Sequence, residues 1–280
     1  MAYQLTVADG VLAYDVSTDD TDLPLVVLAH GMGVDRHDYR FLAPLLADAR
    51  YRVATLDLRG CGESSPRWPD FSRTAIAGDL VALVRHLGGP AVLVGHSIAG
   101  GAATIAAADA PDLLSAVVEI TPFTRAQSIS LGSLAHRGHR RAMTRLVLAG
   151  LTGRVARWQG YLDLAYPGEK PPDWQDYLTR NATMLGEPDR MKALQHMGRT
   201  TPADAGRRLA EVTQPTLIVQ GALDPDWPDP VAEGEAIVAA LPAGVGRLEV
   251  VDGAGHYPHA QRPEQTAEVV LAFLDAYARA

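Results

Sequence analysis

The residue in this chain whose setting best suits chemistry is a serine, Ser97, inside the string GHSIAG at positions 95–100. The string follows a short apolar run and opens an alanine-rich segment of helical composition, residues 102–110. A serine at a sharp turn from strand to helix exposes its hydroxyl only if the residues two places before and after it are small. Gly95 and Ala99 meet that condition. The string predicts a nucleophilic serine, and the competing interpretation is a helix N-cap without a catalytic role.

A serine nucleophile requires two partners, because its hydroxyl needs a base and the base needs an acid to orient it. Among nine histidines, His256 is favoured because it lies in a glycine-rich loop directly after a predicted strand. His259, three residues later, is the second choice. The candidate acids are three carboxylates at or beyond strand ends, namely Asp224, Asp226 and Glu119. His96, next to the serine, is expected to point into the packing behind the turn.

The elements that must position these residues alternate along the chain. A hairpin is predicted at 3–8 and 11–16, joined at the turn residues Asp9 and Gly10. Further strands are predicted at 25–29, 51–58, 91–94, 114–120, 215–221 and 247–251, and helices at 38–49, 72–87, 102–110, 230–241 and from 263 onward. Apolar strands that alternate with helices predict an α/β fold with a mostly parallel sheet covered on both faces.

The alternation stops between residues 124 and 213. Helical patterns at 133–148, 173–185 and 190–196 occur there without a convincing strand. We interpret residues 124–213 as an inserted helical lid over a core formed by 1–123 and 214–280. Some of the lid's apolar side chains are expected to line the cleft below it; the candidates are Leu131, Leu134, Leu146, Leu148, Trp158 and Tyr161.

The order of these parts resembles the α/β-hydrolase superfamily, and more narrowly its lid-bearing serine hydrolases of the carboxylesterase and lactonase type. The resemblance extends over essentially the whole chain. It implies a catalytic triad of Ser97, Asp224 and His256 in that order, because Asp224 follows Gly221 at the spacing the family shows. Some relatives place the acid on the strand that carries Glu119, so that alternative stays open.

The resemblance also implies an oxyanion hole. The backbone N–H of Ile98, directly after the nucleophile, is one donor, and the family's His-Gly-x motif gives the N–H of Met32 as the second. His30 would then brace its loop. The turn at 57–64 would brace loops as well, and Cys61 within it would be unreactive. The predicted function is hydrolysis of a small or medium carboxylic ester or lactone through an acyl-enzyme. The alternatives are C–C bond hydrolysis, a perhydrolase or haloperoxidase-like activity, and non-catalytic binding of a small molecule.

Composition limits the possible partners. The net charge of −8 over 280 residues disfavours nucleic acid, and no apolar stretch is long enough to span a membrane. A single cysteine and the absence of a secretory signal pattern predict a cytoplasmic protein. No phosphate-loop or dinucleotide motif occurs, and His136 and His139 lack neighbouring cysteines or carboxylates. We therefore expect a small-molecule substrate and neither a cofactor nor a metal, while the oligomeric state is left open.

Charge is distributed unevenly between the two predicted parts. Residues 124–213 contain 14 basic and 8 acidic residues, whereas the rest of the chain is strongly acidic. These charges are expected mostly to be solvated. The alternative is that lid arginines face the cleft and hold an anionic substrate; the candidates are Arg125, Arg137, Arg140 and Arg141.

Overall fold

The computed structural model describes residues 2–126 and 136–278. It contains one sheet of eight strands, which are β1 Tyr3–Val7, β2 Gly10–Val16, β3 Leu25–Ala29, β4 Arg52–Leu56, β5 Ala91–His96, β6 Leu114–Ile120, β7 Thr216–Gly221 and β8 Gly246–Val251. Their order in the sheet is β1-β2-β4-β3-β5-β6-β7-β8. The pairs β1–β2 and β2–β4 are antiparallel, and the remaining neighbours are parallel. The predicted mostly parallel sheet is confirmed.

The central strands are buried on both faces, which explains their continuous apolar sequences. Every residue of β3, β5 and β7 is buried. Because successive side chains of a strand point to opposite faces, Val26 and Val92 belong to one apolar core, while their neighbours Val27 and Leu93 belong to the other. The sheet is therefore covered on both sides, as the alternation of strands and helices predicts.

Eleven α-helices are found among the described residues. They are α1 Leu42–Asp48, α2 Arg73–Leu87, α3 Ile98–Asp109, α4 Arg137–Thr152, α5 Val155–Ala165, α6 Trp174–Gly186, α7 Arg190–Met197, α8 Ala203–Gly206, α9 Pro230–Ala240, α10 Pro258–Gln261 and α11 Pro263–Tyr277. Local sequence explains several boundaries. Ser72 caps α2 by accepting a hydrogen bond from Ala75 N, and Gly88 ends it with a φ of 84°. None of these helices is both long and apolar enough to cross a bilayer.

Among the sequence-based predictions, one strand and one helix were wrong in their boundaries, and one helix was missed. The predicted strand 51–58 is shorter, Arg52–Leu56, and it is followed by Asp57, whose carboxylate accepts hydrogen bonds from the backbone N–H groups of Arg36 and Glu63. The predicted helix 38–49 is a 3₁₀ turn, Arg36–Tyr39, followed by α1. Helix α5 was missed altogether. Its internal Gly160 lowers helix propensity, and the Arg145 side chain of α4 packs against this glycine, donating to Gly160 O at 3.4 Å.

Helices α4–α7 lie against the loops at the carboxyl ends of the strands. Asn181 of α6 donates to Gly33 O after β3 at 2.7 Å, and Arg190 of α7 donates to Ser64 O after β4 at 2.6 Å. Ala165 of α5 accepts from His256 N after β8 at 2.9 Å. A third apolar cluster, which includes Trp158, joins these helices to one another. This placement agrees with a helical segment that covers the carboxyl ends of the strands. The boundaries of that segment at residues 124 and 213 stay a prediction.

Candidate active site

Ser97 occupies a strained turn between β5 and α3. Its φ of 56° and ψ of −117° are unfavourable for a residue with a side chain. The turn is held by hydrogen bonds from Ser97 N to Ile120 O and from Phe123 N to Ser97 O, both 3.0 Å. Although Ser97 precedes the first residue of α3, its side chain makes no capping hydrogen bond. The interpretation of Ser97 as a helix N-cap residue is therefore wrong, because its side chain caps no backbone N–H.

The small residues around Ser97 are required by the closeness of the backbone. A Cβ at Gly95 would overlap the carbonyl oxygen of Ala99, and one at Gly100 would lie 2.6 Å from Pro122 Cβ. Ala99 itself is fully buried, so its methyl group is accommodated where a glycine was the more usual choice. The sequence argument from small neighbours thus has a direct steric basis.

We expect Gly95→Ala to destabilise the fold by about 3 kcal/mol or more, at the upper end of ordinary point mutations, because the new methyl group meets backbone that cannot move independently. Gly78→Ala is the matched control, since a Cβ at that position in α2 meets nothing within 4 Å. That change should stabilise the protein by about 0.5–1 kcal/mol. Urea unfolding of both variants measures the difference, and equal stabilities would contradict the steric explanation.

His256 and Asp224 form a hydrogen-bonded pair after β8 and β7. The Nδ1 atom of His256 lies 2.9 Å from Asp224 Oδ2, and both side chains are buried. The carbonyl oxygen of His256 accepts hydrogen bonds from His96 Nε2 and from Thr121 Oγ1, each at 2.8 Å. Thr121 has a φ of 41°, which is rare for a β-branched residue. The peptide group of His256 is therefore held by hydrogen bonds from two side chains.

Asp226 is a second carboxylate beside the same imidazole. Its Oδ2 lies 3.5 Å from His256 Nδ1 and accepts a hydrogen bond from the Tyr161 hydroxyl at 2.6 Å. Burial lowers the pKa of His256, but the charges of Asp224 and Asp226 outweigh it and raise that pKa to about 9. Burial raises the pKa of the Asp226 carboxyl to about 6. The imidazole therefore lies in an unusually negative environment.

The residue before Ser97 packs against this pair. The rings of His96 and His256 are 4.9 Å apart between centroids, and His96 is buried as predicted. The described residues include no hydrogen bond between Ser97 Oγ and His256. Such bonds are often long before substrate binds, so the geometry is compatible with a nucleophile and base that complete their contact in the complex.

The loop after β3 lies against the serine turn. A Cβ at Gly31 would be 3.1 Å from Ser97 Cβ, and Met32 and Ile98 line the same cavity as Ser97. Among residues 2–126 and 136–278, neither Met32 N nor Ile98 N donates a hydrogen bond. Two backbone donors without acceptors beside a serine are available for a developing oxyanion.

A small cavity of about 210 Å³ opens onto Ser97. Its lining residues are Met32, Arg73, Ser97, Ile98, Phe123, Leu146, Met197, Gly198, Thr200 and Pro202. A second cavity of about 210 Å³ shares Met32, Leu146 and Gly198 with it and is otherwise lined mainly by apolar residues, including Leu151 and Leu194. The space beside Ser97 is therefore divided into a region with polar groups and an apolar extension.

The other predicted site candidates have structural contacts. Glu119 accepts hydrogen bonds from the hydroxyls of Thr104 and Thr124, and burial raises its pKa to about 7. His30 joins two loops, since its Nδ1 contacts Gly31 O and its Nε2 accepts from Leu58 N. Burial raises the pKa of the Cys61 thiol to about 12, which is consistent with an unreactive residue.

His259 contacts a carboxylate of its own. Its Nε2 lies 2.9 Å from Asp38 Oδ2, and His96 Nδ1 lies 3.7 Å from the same oxygen. This buried group and the group Asp224, Asp226 and His256 each place three potential ligand atoms within 4.8 Å. In both groups an imidazole is already hydrogen-bonded to a carboxylate, so we assign them to hydrogen bonding and propose no metal ligation.

The predicted lid residues differ in their positions. Leu146 lines both cavities, whereas Trp158 and Tyr161 are buried among the helices. Leu131 and Leu134 lie outside the described residues. Leu148, the remaining candidate, is partly buried in α4.

The lid arginines also occupy different surroundings. Arg125 pairs with Glu233 at 3.1 Å, and Arg137 and Arg141 line a separate cavity of about 470 Å³ beside Pro225. The Ser97 cavity contains a different cation, Arg73 of α2, which sequence reasoning missed. No pattern in the sequence distinguishes Arg73 from the other arginines.

Comparison with known proteins gives the class. A model of the alpha/beta hydrolase family matches residues 26–269, and the chain belongs to that family. A probable esterase from Oryza sativa subsp. japonica is 30% identical over 254 residues, which cover 88% of this chain and 90% of the relative. Karrikin insensitive 2 receptor IA from Petunia hybrida is 29% identical over 251 residues, 88% of each chain. A thermophilic esterase structure from Thermogutta terrifontis matches with a TM-score of 0.74 at 25% identity, covering 99% of this chain and 98% of that one.

Proposed function

We propose that the protein is a serine hydrolase that cleaves a small carboxylic ester or lactone with Ser97, His256 and Asp224. The main support is the strained turn at Ser97, whose side chain caps no helix, together with the His256–Asp224 hydrogen bond at the same end of the sheet. The role of Asp224 is to hold the imidazole with its proton on Nδ1, which leaves Nε2 as the base. Esterases among the relatives support the same reaction type.

In the first half of the reaction, Ser97 Oγ forms a bond to the carbonyl carbon while His256 takes the hydroxyl proton. The oxyanion is stabilised by the N–H groups of Met32 and Ile98. The bond to the alcohol then breaks, and the alcohol leaves with the proton from His256. Water repeats the sequence on the acyl-enzyme, which releases the acid and restores the serine.

Cavity size supports a small substrate. The cavity that contains Ser97 and its apolar extension are about 210 Å³ each, and each is below the range of about 300–1,000 Å³ that is usual for sites binding drug-sized ligands. We expect short-chain 4-nitrophenyl esters to be cleaved with an initial burst of nitrophenol, and kcat/KM to decrease as the acyl chain outgrows the cavity. Stopped-flow absorbance over an acyl series from acetate to decanoate measures both effects. Faster turnover of decanoate than of acetate would contradict the size argument.

A second candidate function is that of a receptor, which binds a small molecule with little turnover. The receptor among the relatives favours this candidate. A phosphonate probe labels an activated serine irrespective of the natural substrate, so labelling of Ser97 with a burst and continued turnover supports the enzyme. Binding of small esters without a burst would favour the receptor. Cleavage of a diketone, with every ester and lactone inert, would indicate C–C hydrolysis, and peroxide-dependent halogenation would indicate a perhydrolase.

A further inference from the structure

The Ser97 cavity contains a buried cation with no carboxylate in contact. Arg73 is only 4% exposed, and its side chain forms part of the cavity wall. Its Nε donates to Phe123 O at 2.9 Å and its Nη1 donates to Thr200 Oγ1 at 3.1 Å. Among the described residues, Asp204 acts on its charge from beyond ion-pair distance, and no carboxylate pairs with it directly. Both hydrogen bonds therefore go to neutral oxygens, and the charge is left without a contacting counter-ion.

Other buried arginines show that this arrangement is not general in the chain. Arg59 pairs with Asp79 at 2.8 Å and Arg190 pairs with Glu187 at 3.3 Å. Arg52 has no carboxylate partner among the described residues either. It is the first residue of β4, however, and lies at the opposite end of the sheet from Ser97. Arg73 is thus distinguished by an unpaired charge that also faces the candidate active site.

The surrounding chain holds the Arg73 side chain in place. Gly101, four residues after Ser97 in α3, leaves room for it, since a Cβ there would be 2.8 Å from Arg73 Cδ. The Thr200 hydroxyl that accepts from Arg73 donates in turn to Met197 O at 2.7 Å. These contacts hold the Arg73 side chain between α3 of the core and Thr200, which follows α7. They leave Nη2 and one N–H of Nη1 available to an acceptor in the cavity.

We propose that Arg73 binds a carboxylate of the substrate, so that the preferred substrates are esters or lactones carrying a second, free carboxylate group. This inference rests on the proposed ester hydrolysis and deepens it. A planar guanidinium with free N–H groups binds a carboxylate through two parallel hydrogen bonds. A buried charge without a partner is costly, and burial lowers the pKa of Arg73 to about 10, so that it stays protonated at neutral pH. A substrate carboxylate supplies the missing counter-ion.

The apolar extension defines the other part of the substrate. It shares Met32 and Leu146 with the Arg73 cavity but is lined mainly by apolar groups. A substrate that spans both cavities therefore carries its carboxylate on one side of the scissile bond and an apolar group on the other. This arrangement favours one orientation of the carbonyl relative to Ser97.

The test compares mono-4-nitrophenyl esters of succinate, glutarate and adipate with their neutral methyl esters, which match them in length. For the best spacer, the wild-type kcat/KM should favour the free acid by about 100-fold, because a buried charge pair gains much more than an exposed one. Arg73→Gln should abolish most of that ratio, and Arg73→Lys should restore part of it, since lysine keeps the charge but lacks the fork. Arg85→Gln removes the same charge from an exposed position of α2 and should leave the ratio unchanged.

The expected salt response also separates Arg73 from the exposed lid arginines. A buried pair is screened only weakly, so the preference for the free acids should persist when salt is raised. If the preference disappears in salt and is unaffected by Arg73→Gln, surface charge is responsible and the proposal is wrong. No preference by the wild-type enzyme, which requires no variant, would also overturn it. Equal losses on acids and methyl esters in Arg73→Gln would indicate a bracing role at Phe123 and Thr200 instead.

Binding measurements keep this inference distinct from the proposed hydrolysis. In a Ser97→Ala background, calorimetry compares glutaranilic acid with its neutral methyl ester. Tighter binding of the acid that is lost on Arg73→Gln supports the carboxylate site even if no ester is ever cleaved. Equal binding of the two compounds would reject the site, while leaving the ester hydrolysis to be judged by its own assays.

Discussion

Ser97→Ala is expected to lower kcat on a short-chain ester by about 10⁴–10⁶, with the fold intact. His256→Ala should cause a similar loss, and the double variant little more, because the nucleophile and its base act as one unit. The residual rate would come from the oxyanion donors Met32 and Ile98, whose N–H groups depend on neither side chain. Steady-state kinetics of the three variants, with circular dichroism to verify folding, measures this prediction.

Ser115→Ala is a suitable control for the serine variant. Ser115 lies on the neighbouring strand β6, is partly buried and has no described side-chain hydrogen bond. Its replacement should leave kcat unchanged. Substantial turnover by a folded Ser97→Ala protein would overturn the proposed mechanism as a whole.

Asp224→Asn is expected to reduce kcat by about 10³–10⁴, because the asparagine amide favours the wrong tautomer of His256. Asp226→Asn should reduce kcat by no more than about tenfold, since Asp226 lies 3.5 Å from Nδ1 and its Oδ2 is hydrogen-bonded to Tyr161. The two substitutions are isosteric and lie two residues apart, so each is a control for the other. A greater loss from Asp226→Asn would show that Asp226, and not Asp224, is the acid.

The pH dependence of the wild type and of Asp226→Asn gives a second readout. A general base acts when it is deprotonated, so kcat/KM for a neutral ester should rise with pH through the pKa of free-enzyme His256. Two carboxylates together raise that pKa to about 9 against the opposing effect of burial. Removing the charge of Asp226 lowers it, and the rising limb should move to lower pH. An unchanged limb, or one that moves to higher pH, would contradict the electrostatic role of Asp226.

Several features of the molecule followed from local sequence. The strands β3, β5 and β7 were predictable because burial on both faces demands uninterrupted apolar residues. The serine turn was predictable because its backbone permits only small neighbours, a requirement that acts over a few residues. The helix α5 was not, since Gly160 weakens its local signal and the contact of Gly160 with Arg145 of the preceding helix forms only in the tertiary structure.

Several contacts of the site depend on residues far apart in sequence. Asp226 faces His256 from a different loop because β7 and β8 are neighbours, and no local pattern encodes the side-chain direction of either. His96, His256 and His259 are all buried, and in the structure they differ in their hydrogen-bond partners.

Arg73 shows the same limit most clearly. The sequence determined that this residue begins an amphipathic helix, which is a matter of local periodicity and of capping by Ser72. Only the tertiary structure brought it beside Ser97, through room left by Gly101 in α3 and an acceptor on Thr200 from the helical segment. Local steric and apolar patterns thus determined the fold and the serine turn, whereas the charge within the cavity was decided by side chains that meet only after the segments pack together.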